Sequence, residues 1–152
     1  MTLSELFRGL GQEHFDALLK EVSMGALRTY KLVDSFKVRA RLLKLNREKL
    51  RKASPKLWDR LGEGDEDLAR ELSQGMLVSH LDLVVDALDH LGIEHDGNGF
   101  FDKDEQASGK LAEGWREKLL AALGDRYPKH LILLYINHLD WELGEPEQVF
   151  VG

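Results

Sequence analysis

Residues 66–91 read EDLARELSQGMLVSHLDLVVDALDHL, the longest helical pattern in the chain. Asp65 is a candidate N-cap for this segment, and Glu66 and Asp67 place negative charge at the positive end of the helix dipole. The second half of the segment is apolar at Met76, Leu77, Leu81, Val84, Val85, Leu88 and Leu91. An apolar arc this wide predicts one long central helix, about 66–91, with neighbours on two sides.

Shorter helical patterns flank this segment. Residues 12–22 place Phe15, Leu18 and Leu19 on one apolar stripe, which is typical of an amphipathic helix. The other expected helices cover 24–34, a segment that begins after Asn46, a segment from Ser54-Pro55 to Leu61-Gly62, 105–123, and 128–143. Gly92 and Ile93 predict a Schellman motif at the end of the long helix. The sequence therefore predicts a mainly α fold, a single-domain multi-helix bundle over residues 1–152.

Two segments fit this pattern less well. Residues 36–42 alternate strictly between apolar and polar side chains, which favours a strand. Residues 149–151 are the only partner that the sequence offers, so a minor extended pair is expected. Residues 131–136 form a continuous apolar run that is compatible with a buried strand. We favour a helix there, because Pro128 opens the segment and polar residues continue it beyond the usual length of a strand.

Composition sets limits on the function. The chain has 152 residues, of which 43% are hydrophobic and 32% charged, as in globular proteins. It contains no cysteine, which excludes disulfides, thiolate metal sites and a cysteine nucleophile. Its longest apolar run has six residues, against the roughly 20 that a membrane-spanning helix needs. We therefore expect no membrane partner, no signal peptide and a cytoplasmic location.

Charge is divided unevenly along the chain. Residues 28–60 carry twelve basic and three acidic side chains, a net charge of +9, whereas the rest of the chain has a net charge of −15. This division indicates an anionic partner, attraction between the two parts, or two solvated faces. A nucleic-acid-binding accessory protein that uses the basic segment 28–60 is one hypothesis. Its candidate contact residues are Lys37, Arg39, Arg41, Lys44, Arg47 and Arg51.

The loop over residues 94–105 resembles an EF-hand calcium loop across these twelve residues. Candidate calcium ligands stand at positions 3, 5, 9 and 12 of the loop, namely Asp96, Asn98, Asp102 and Glu105. Glu94 takes position 1, where the motif has Asp. The alternative is a polar turn, in which Asp-Gly and Asn-Gly pairs supply positive φ angles.

Histidines suggest a second metal site. His80 falls on the apolar arc of the long helix, and His138 lies in the most hydrophobic segment. Together with Asp140 they have the donor atoms that zinc or iron binds. A metal-dependent enzyme that uses these side chains and a divalent ion is therefore another hypothesis. The alternative is that each buried histidine satisfies a hydrogen bond.

The remaining observations favour binding over catalysis. The sequence contains no Gly-x-Ser-x-Gly elbow, phosphate-binding loop or dinucleotide fingerprint. Its last residues, Val149-Phe150-Val151, are apolar, and we expect them to dock on their own domain or on a partner. The leading hypothesis is a non-enzymatic helical protein-interaction or accessory domain. Its partner is another protein or a second copy of the chain.

Overall fold

The computed structural model describes residues 1–22, 47–97, 101, 111–144 and 146–152. The chain divides into two compact units, Thr2–Ser79 and His80–Gly152, with Met1 grouped in the second. Within the described residues there are seven helices and no strand, which confirms the mainly α prediction. None of these helices is both long and apolar enough to cross a membrane. The single-domain assignment to residues 1–152 stays a prediction.

The first unit contains four described helices. They are α1 (Leu3–Leu10), α2 (Gln12–Lys20), α3 (Arg47–Gly62) and α4 (Glu66–Val78). Helix α3 packs against the other three, and α1 also contacts α2 and α4. The rings of Phe7 and Phe15 meet edge to face with centroids 6.1 Å apart, and Trp58 lies 5.4 Å from Phe15. These aromatic contacts form the core between α1, α2 and α3, because Phe7 and Phe15 are both fully buried.

Helix α1 was not predicted, although the sequence carries its signal. Thr2 and Glu5 form a capping box, in which the Thr2 Oγ1 accepts from the Glu5 N–H at 3.3 Å and the Glu5 carboxylate accepts from the Thr2 N–H at 3.0 Å. The Glu66 carboxylate completes the cap by accepting from the N–H groups of Leu3 and Ser4, at 3.2 and 2.9 Å. Burial acts to raise the pKa of Glu66, but the hydrogen bonds, first among them that from the Ser4 hydroxyl, outweigh it and lower the pKa.

The predicted helix start at Ser54-Pro55 is wrong. Helix α3 runs without interruption from Arg47 to Gly62, with Pro55 inside it. The Ser54 hydroxyl donates to the carboxylate of Asp16 on α2 instead of capping a helix. Proline removes one backbone hydrogen bond from a helix interior. Leu57 and Leu61, which follow Pro55 in the same helix, are buried, and burial of apolar side chains stabilises the helix.

The long central helix over 66–91 is also wrong, because the structure breaks it in two. Helix α4 ends at Val78, and α5 spans Leu81–Leu91. The Ser79 hydroxyl donates to the Gly75 carbonyl at 2.6 Å, and His80 has φ −138° and ψ 49°, outside the helical region. A serine hydroxyl that bonds back to the preceding turn competes with the helical backbone, which is consistent with the end of α4 at Val78. The predicted N-cap is confirmed, since Asp65 accepts from the Leu68 N–H at 3.1 Å.

The second unit contains α5, α6 (Trp115–Leu123) and α7 (Lys129–Gly144). Helix α6 contacts both α5 and α7. Residues 131–136 are buried and helical, which confirms the preference for a helix over a strand there. Helix α6 begins at Trp115, and residues 111–114 are described but not helical. The predicted helix over 105–123 is therefore too long at its start.

The Schellman motif after α5 is confirmed. Gly92 adopts a left-handed conformation with φ 72°, and its N–H donates to the Asp89 carbonyl at 3.1 Å. The Ile93 N–H donates to the Leu88 carbonyl at 3.0 Å, and the Ile93 side chain is buried. These are the two hydrogen bonds and the apolar contact that define the motif. The predictions for 24–34, 36–42 and Asn46 lie outside the described residues.

Candidate binding sites

The residues proposed for a transition-metal site have other partners in the second unit. His138 Nε2 lies 3.0 Å from a carboxylate oxygen of Glu142, one turn further along α7. Asp140 accepts two hydrogen bonds from the Arg116 guanidinium, at 2.8 and 2.6 Å. His80 stands at the start of α5. In the part of the chain that the structure describes, no three His, Asp or Glu side chains are grouped to hold a metal ion. The geometry therefore gives the site of His80, His138 and Asp140 no support.

The Arg116–Asp140 pair has a structural role. It joins α6 to α7 through a bidentate contact, with the Asp140 side chain 12% exposed. The hydrogen bond to Asp140 raises the pKa of Arg116 above its ordinary value. Asp140 therefore links α6 to α7 through two hydrogen bonds.

The proposed calcium loop is only partly described. Asp96 is exposed, four residues after Gly92, whereas Asn98, Asp102 and Glu105 lie outside the described residues. At the start of the loop, the Gly97 N–H donates to His95 Nδ1 at 3.0 Å. Because Nδ1 accepts this hydrogen bond, the ring proton is on Nε2. Nε2 lies 2.7 Å from Asp89 Oδ1 and donates to it. The calcium site stays a prediction.

The basic residues proposed for nucleic-acid binding are mostly beyond what the structure describes. Lys37, Arg39, Arg41 and Lys44 lie outside the described residues. Arg47 and Arg51 belong to α3, but only their backbone is described. The nucleic-acid interface therefore also stays a prediction.

A tyrosine that sequence reasoning did not single out is tied to α5. The Tyr127 hydroxyl donates to the Asp86 carboxylate, which also accepts from Arg126 at 3.1 Å. Burial and this hydrogen bond raise the pKa of Tyr127 to about 12. The phenol therefore keeps its proton at neutral pH and anchors the turn between α6 and α7.

A cleft opens in the first unit between α2 and α3. Its volume is about 370 Å³, within the range of ligand pockets. Its lining residues are Gln12, Asp16, Leu19, Lys20, Lys52, Ser54 and Pro55. Pro55 gives it an exposed apolar wall, and Lys20 and Lys52 are also exposed, whereas Leu19 lines the cleft but is only 2% exposed. We call this feature the α2–α3 groove.

A buried asparagine holds an extended segment in the second unit. Asn137 on α7 is 0% exposed, and its Oδ1 accepts from the Phe150 N–H at 2.7 Å. Its Nδ2 donates to the Phe150 carbonyl at 2.8 Å and to the Leu133 carbonyl at 2.8 Å. We call this arrangement the Asn137 clamp. The Asn137 clamp confirms the prediction that residues 149–151 dock on their own chain, and it shows that they dock on α7.

Sequence reasoning missed both the α2–α3 groove and the Asn137 clamp. Asn137 did carry a signal, because it is an amide that directly follows the apolar run over residues 131–136. A buried amide needs hydrogen-bond partners, so such a position indicates a specific contact. The groove had no comparable signal, since it depends on how α2 and α3 pack.

Comparison of the chain with protein-family models, curated protein sequences and solved structures gave no match.

Proposed function

We propose that the protein is a cytoplasmic helical interaction module that acts by binding and not by catalysis. Its docking surface is the α2–α3 groove, and the occupant is an acidic segment of a partner protein. The observation that carries this proposal is the lining of the groove, where Pro55 forms an exposed apolar wall beside Lys20 and Lys52. An apolar wall with a few charged groups is the usual composition of a binding cleft.

Charge complementarity selects the acidic partner. The charged residues that line the groove are two lysines, Lys20 and Lys52, and one carboxylate, Asp16. The carboxylate that lines the groove, Asp16, accepts a hydrogen bond from Ser54. Positive charge therefore exceeds negative charge around the groove, which attracts carboxylates and rejects basic partners. The apolar wall favours a segment that combines acidic with apolar side chains.

Nucleic-acid binding is the alternative that the +9 charge of residues 28–60 favours. The two functions differ in their requirement for apolar groups. A duplex presents phosphates, which bind through cations, whereas a peptide with apolar side chains also contacts Pro55. A peptide without leucine should therefore bind poorly if the proposal is correct.

The experiment measures fluorescence anisotropy with a labelled peptide that alternates leucine with glutamate. The comparison probes are a peptide that alternates leucine with glutamine, a peptide that alternates serine with glutamate, and labelled duplex and single-stranded oligonucleotides. The variants are Lys20→Glu and Lys52→Glu, with Lys118→Glu in the second unit as the matched control. We expect each groove variant to weaken binding of the acidic peptide about tenfold, equivalent to about 1.4 kcal/mol.

The control variant should bind as the unmodified chain does. Equal affinity of the acidic and neutral peptides, or no effect of either groove variant, would contradict the proposal. Binding of the oligonucleotides alone, with a steep loss of affinity as salt rises, would assign the protein to the nucleic-acid class instead.

A further inference from the structure

The Asn137 clamp recognises a peptide backbone and not a side chain. Its carboxamide supplies one acceptor and one donor to the same residue, Phe150, whose N–H and carbonyl both point toward it. Any residue in an extended conformation presents that pair of groups, with the exception of proline, which has no N–H. The clamp is therefore a site for an extended peptide segment.

The site is built into the core of the second unit. Asn137 is completely buried, and its bond to the Leu133 carbonyl fixes the orientation of the carboxamide. A buried amide that loses its partners is unfavourable, so the site requires an occupant with hydrogen-bonding groups. Leu133 and Asn137 lie one helical turn apart, and the site is therefore rigid because α7 holds both of them.

The segment that now occupies the Asn137 clamp, residues 149–151, is only partly buried. Val149 and Phe150 are half-buried, whereas Val151 is 53% exposed. Beyond them, Gly152 lies against the Lys129 and Leu120 side chains, so the segment runs back along α7 toward its first turn. Since apolar burial is incomplete, a competing segment that buries more apolar surface has a stability advantage at this site.

We propose that the Asn137 clamp is a binding site for an extended segment of a partner protein, and that residues 146–152 are its intramolecular competitor. The segment in place defines the partner's chemistry: an aromatic residue at the clamp, flanked by β-branched residues. Tethering gives the competitor a high effective concentration, so a partner binds weakly until that segment is released. This surface lies on α7, and the proposal is independent of the α2–α3 groove.

The experiment uses the full chain and a labelled peptide, Glu-Gln-Val-Phe-Val-Gly, which copies residues 147–152. The variant Phe150→Pro removes the N–H that Asn137 accepts from, and so weakens the competitor without altering α7. The control peptide carries an N-methyl group on its phenylalanine, which removes the same hydrogen bond from the probe. Fluorescence anisotropy measures binding, and circular dichroism checks that each variant is folded.

We expect the Phe150→Pro chain to bind the peptide about tenfold more tightly than the unmodified chain. The N-methyl peptide should bind neither chain, and adding Asn137→Leu to the variant should abolish binding. If Phe150→Pro does not fold, Phe150→Ala takes its place, because it keeps the backbone bonds and loses only the ring.

Three outcomes would overturn the proposal. The peptide fails to bind a folded Phe150 variant, or it binds the N-methyl form and the normal form equally. In the third outcome, the unmodified chain is a dimer that dissociates when Phe150 is replaced, which would assign the site to the same segment of a second copy.

Discussion

Asn137 forms hydrogen bonds with both backbone polar groups of Phe150, a residue 13 positions away, from the buried face of α7. One side chain thus satisfies a donor and an acceptor of an extended segment that has no strand beside it among the described residues. Unpaired backbone groups that are removed from water are unfavourable. The contact therefore explains how this segment stays on the surface of α7.

Replacing Asn137 should destabilise the second unit. The variant Asn137→Leu leaves the Phe150 N–H and carbonyl without this partner, at a cost of about 1–3 kcal/mol. Urea denaturation measures the loss, and hydrogen exchange of the Phe150 amide should become faster. Gln148→Leu, at an exposed position of the same segment, is the control and should change stability by less than about 0.5 kcal/mol. An unchanged rate of exchange at Phe150 would show that Asn137 does not hold the segment.

Glu66 should make the first unit sensitive to acid. Its hydrogen bonds from Leu3 and Ser4 lower its pKa from the ordinary value of 4.5. The contribution of its charge to stability is therefore complete above pH 4.5 and is lost as the pH falls through the lowered pKa. We expect Glu66→Gln to reduce stability at neutral pH, and the difference from the unmodified chain to shrink at low pH.

Thermal unfolding at a series of pH values measures this effect. Asp67→Asn, at the next position of the same helical turn, is the matched control and should show a smaller dependence on pH. A difference between Glu66→Gln and the unmodified chain that stays constant from neutral to acidic pH would refute the role of the carboxylate.

Tyr127 should ionise at a higher pH than an ordinary tyrosine. Burial and the hydrogen bond to Asp86 raise its pKa from 10.0 to about 12. The folded state therefore retains a proton that the unfolded state releases, so stability is intact below pH 10 and falls as the pH rises toward 12. Phenolate absorbance measures the ionisation. In Asp86→Asn the acceptor charge is absent, and we expect the Tyr127 step to move to lower pH; an identical titration curve would argue against the pair.

We expect a transition-metal chelator to leave the melting temperature of the protein unchanged, because His80, His138 and Asp140 do not form a metal site. Asp140 is already engaged by Arg116, so His80 and His138 lack their third proposed ligand. A metal at 100 times its Kd stabilises a protein by about 2.7 kcal/mol, which a melting curve resolves. A fall in melting temperature with a chelator, restored by zinc, would count against this expectation.

Adding calcium tests the other proposed metal site, the loop over residues 94–105. If Asp96, Asn98, Asp102 and Glu105 bind calcium, adding the ion raises the melting temperature by mass action. Asp102→Asn removes one charged ligand and should reduce that rise. The same shift in the variant and in the unmodified chain would exclude the loop as the site.

The sequence by itself determined the helices whose signals are local. The cap at Asp65, the Schellman motif at Gly92 and Ile93, and the helix after Pro128 all depend on residues within one turn of each other. Such signals act before any tertiary contact forms, and so they can be read directly from the order of residues.

Only the tertiary structure determined the hydrogen-bond partners of several polar residues, because the neighbouring sequence predicted other roles for them. Ser54 looked like a helix cap, yet α3 continues through it and its hydroxyl donates to Asp16 on α2. Glu66 looked like a dipole residue of its own helix, yet it caps α1, more than 60 residues earlier. Asn137 stood out as an amide in an apolar segment, but only the packing of residues 146–152 on α7 made Phe150 its partner. Hydrogen bonds over such separations depend on where whole helices pack, and no local pattern encodes that position.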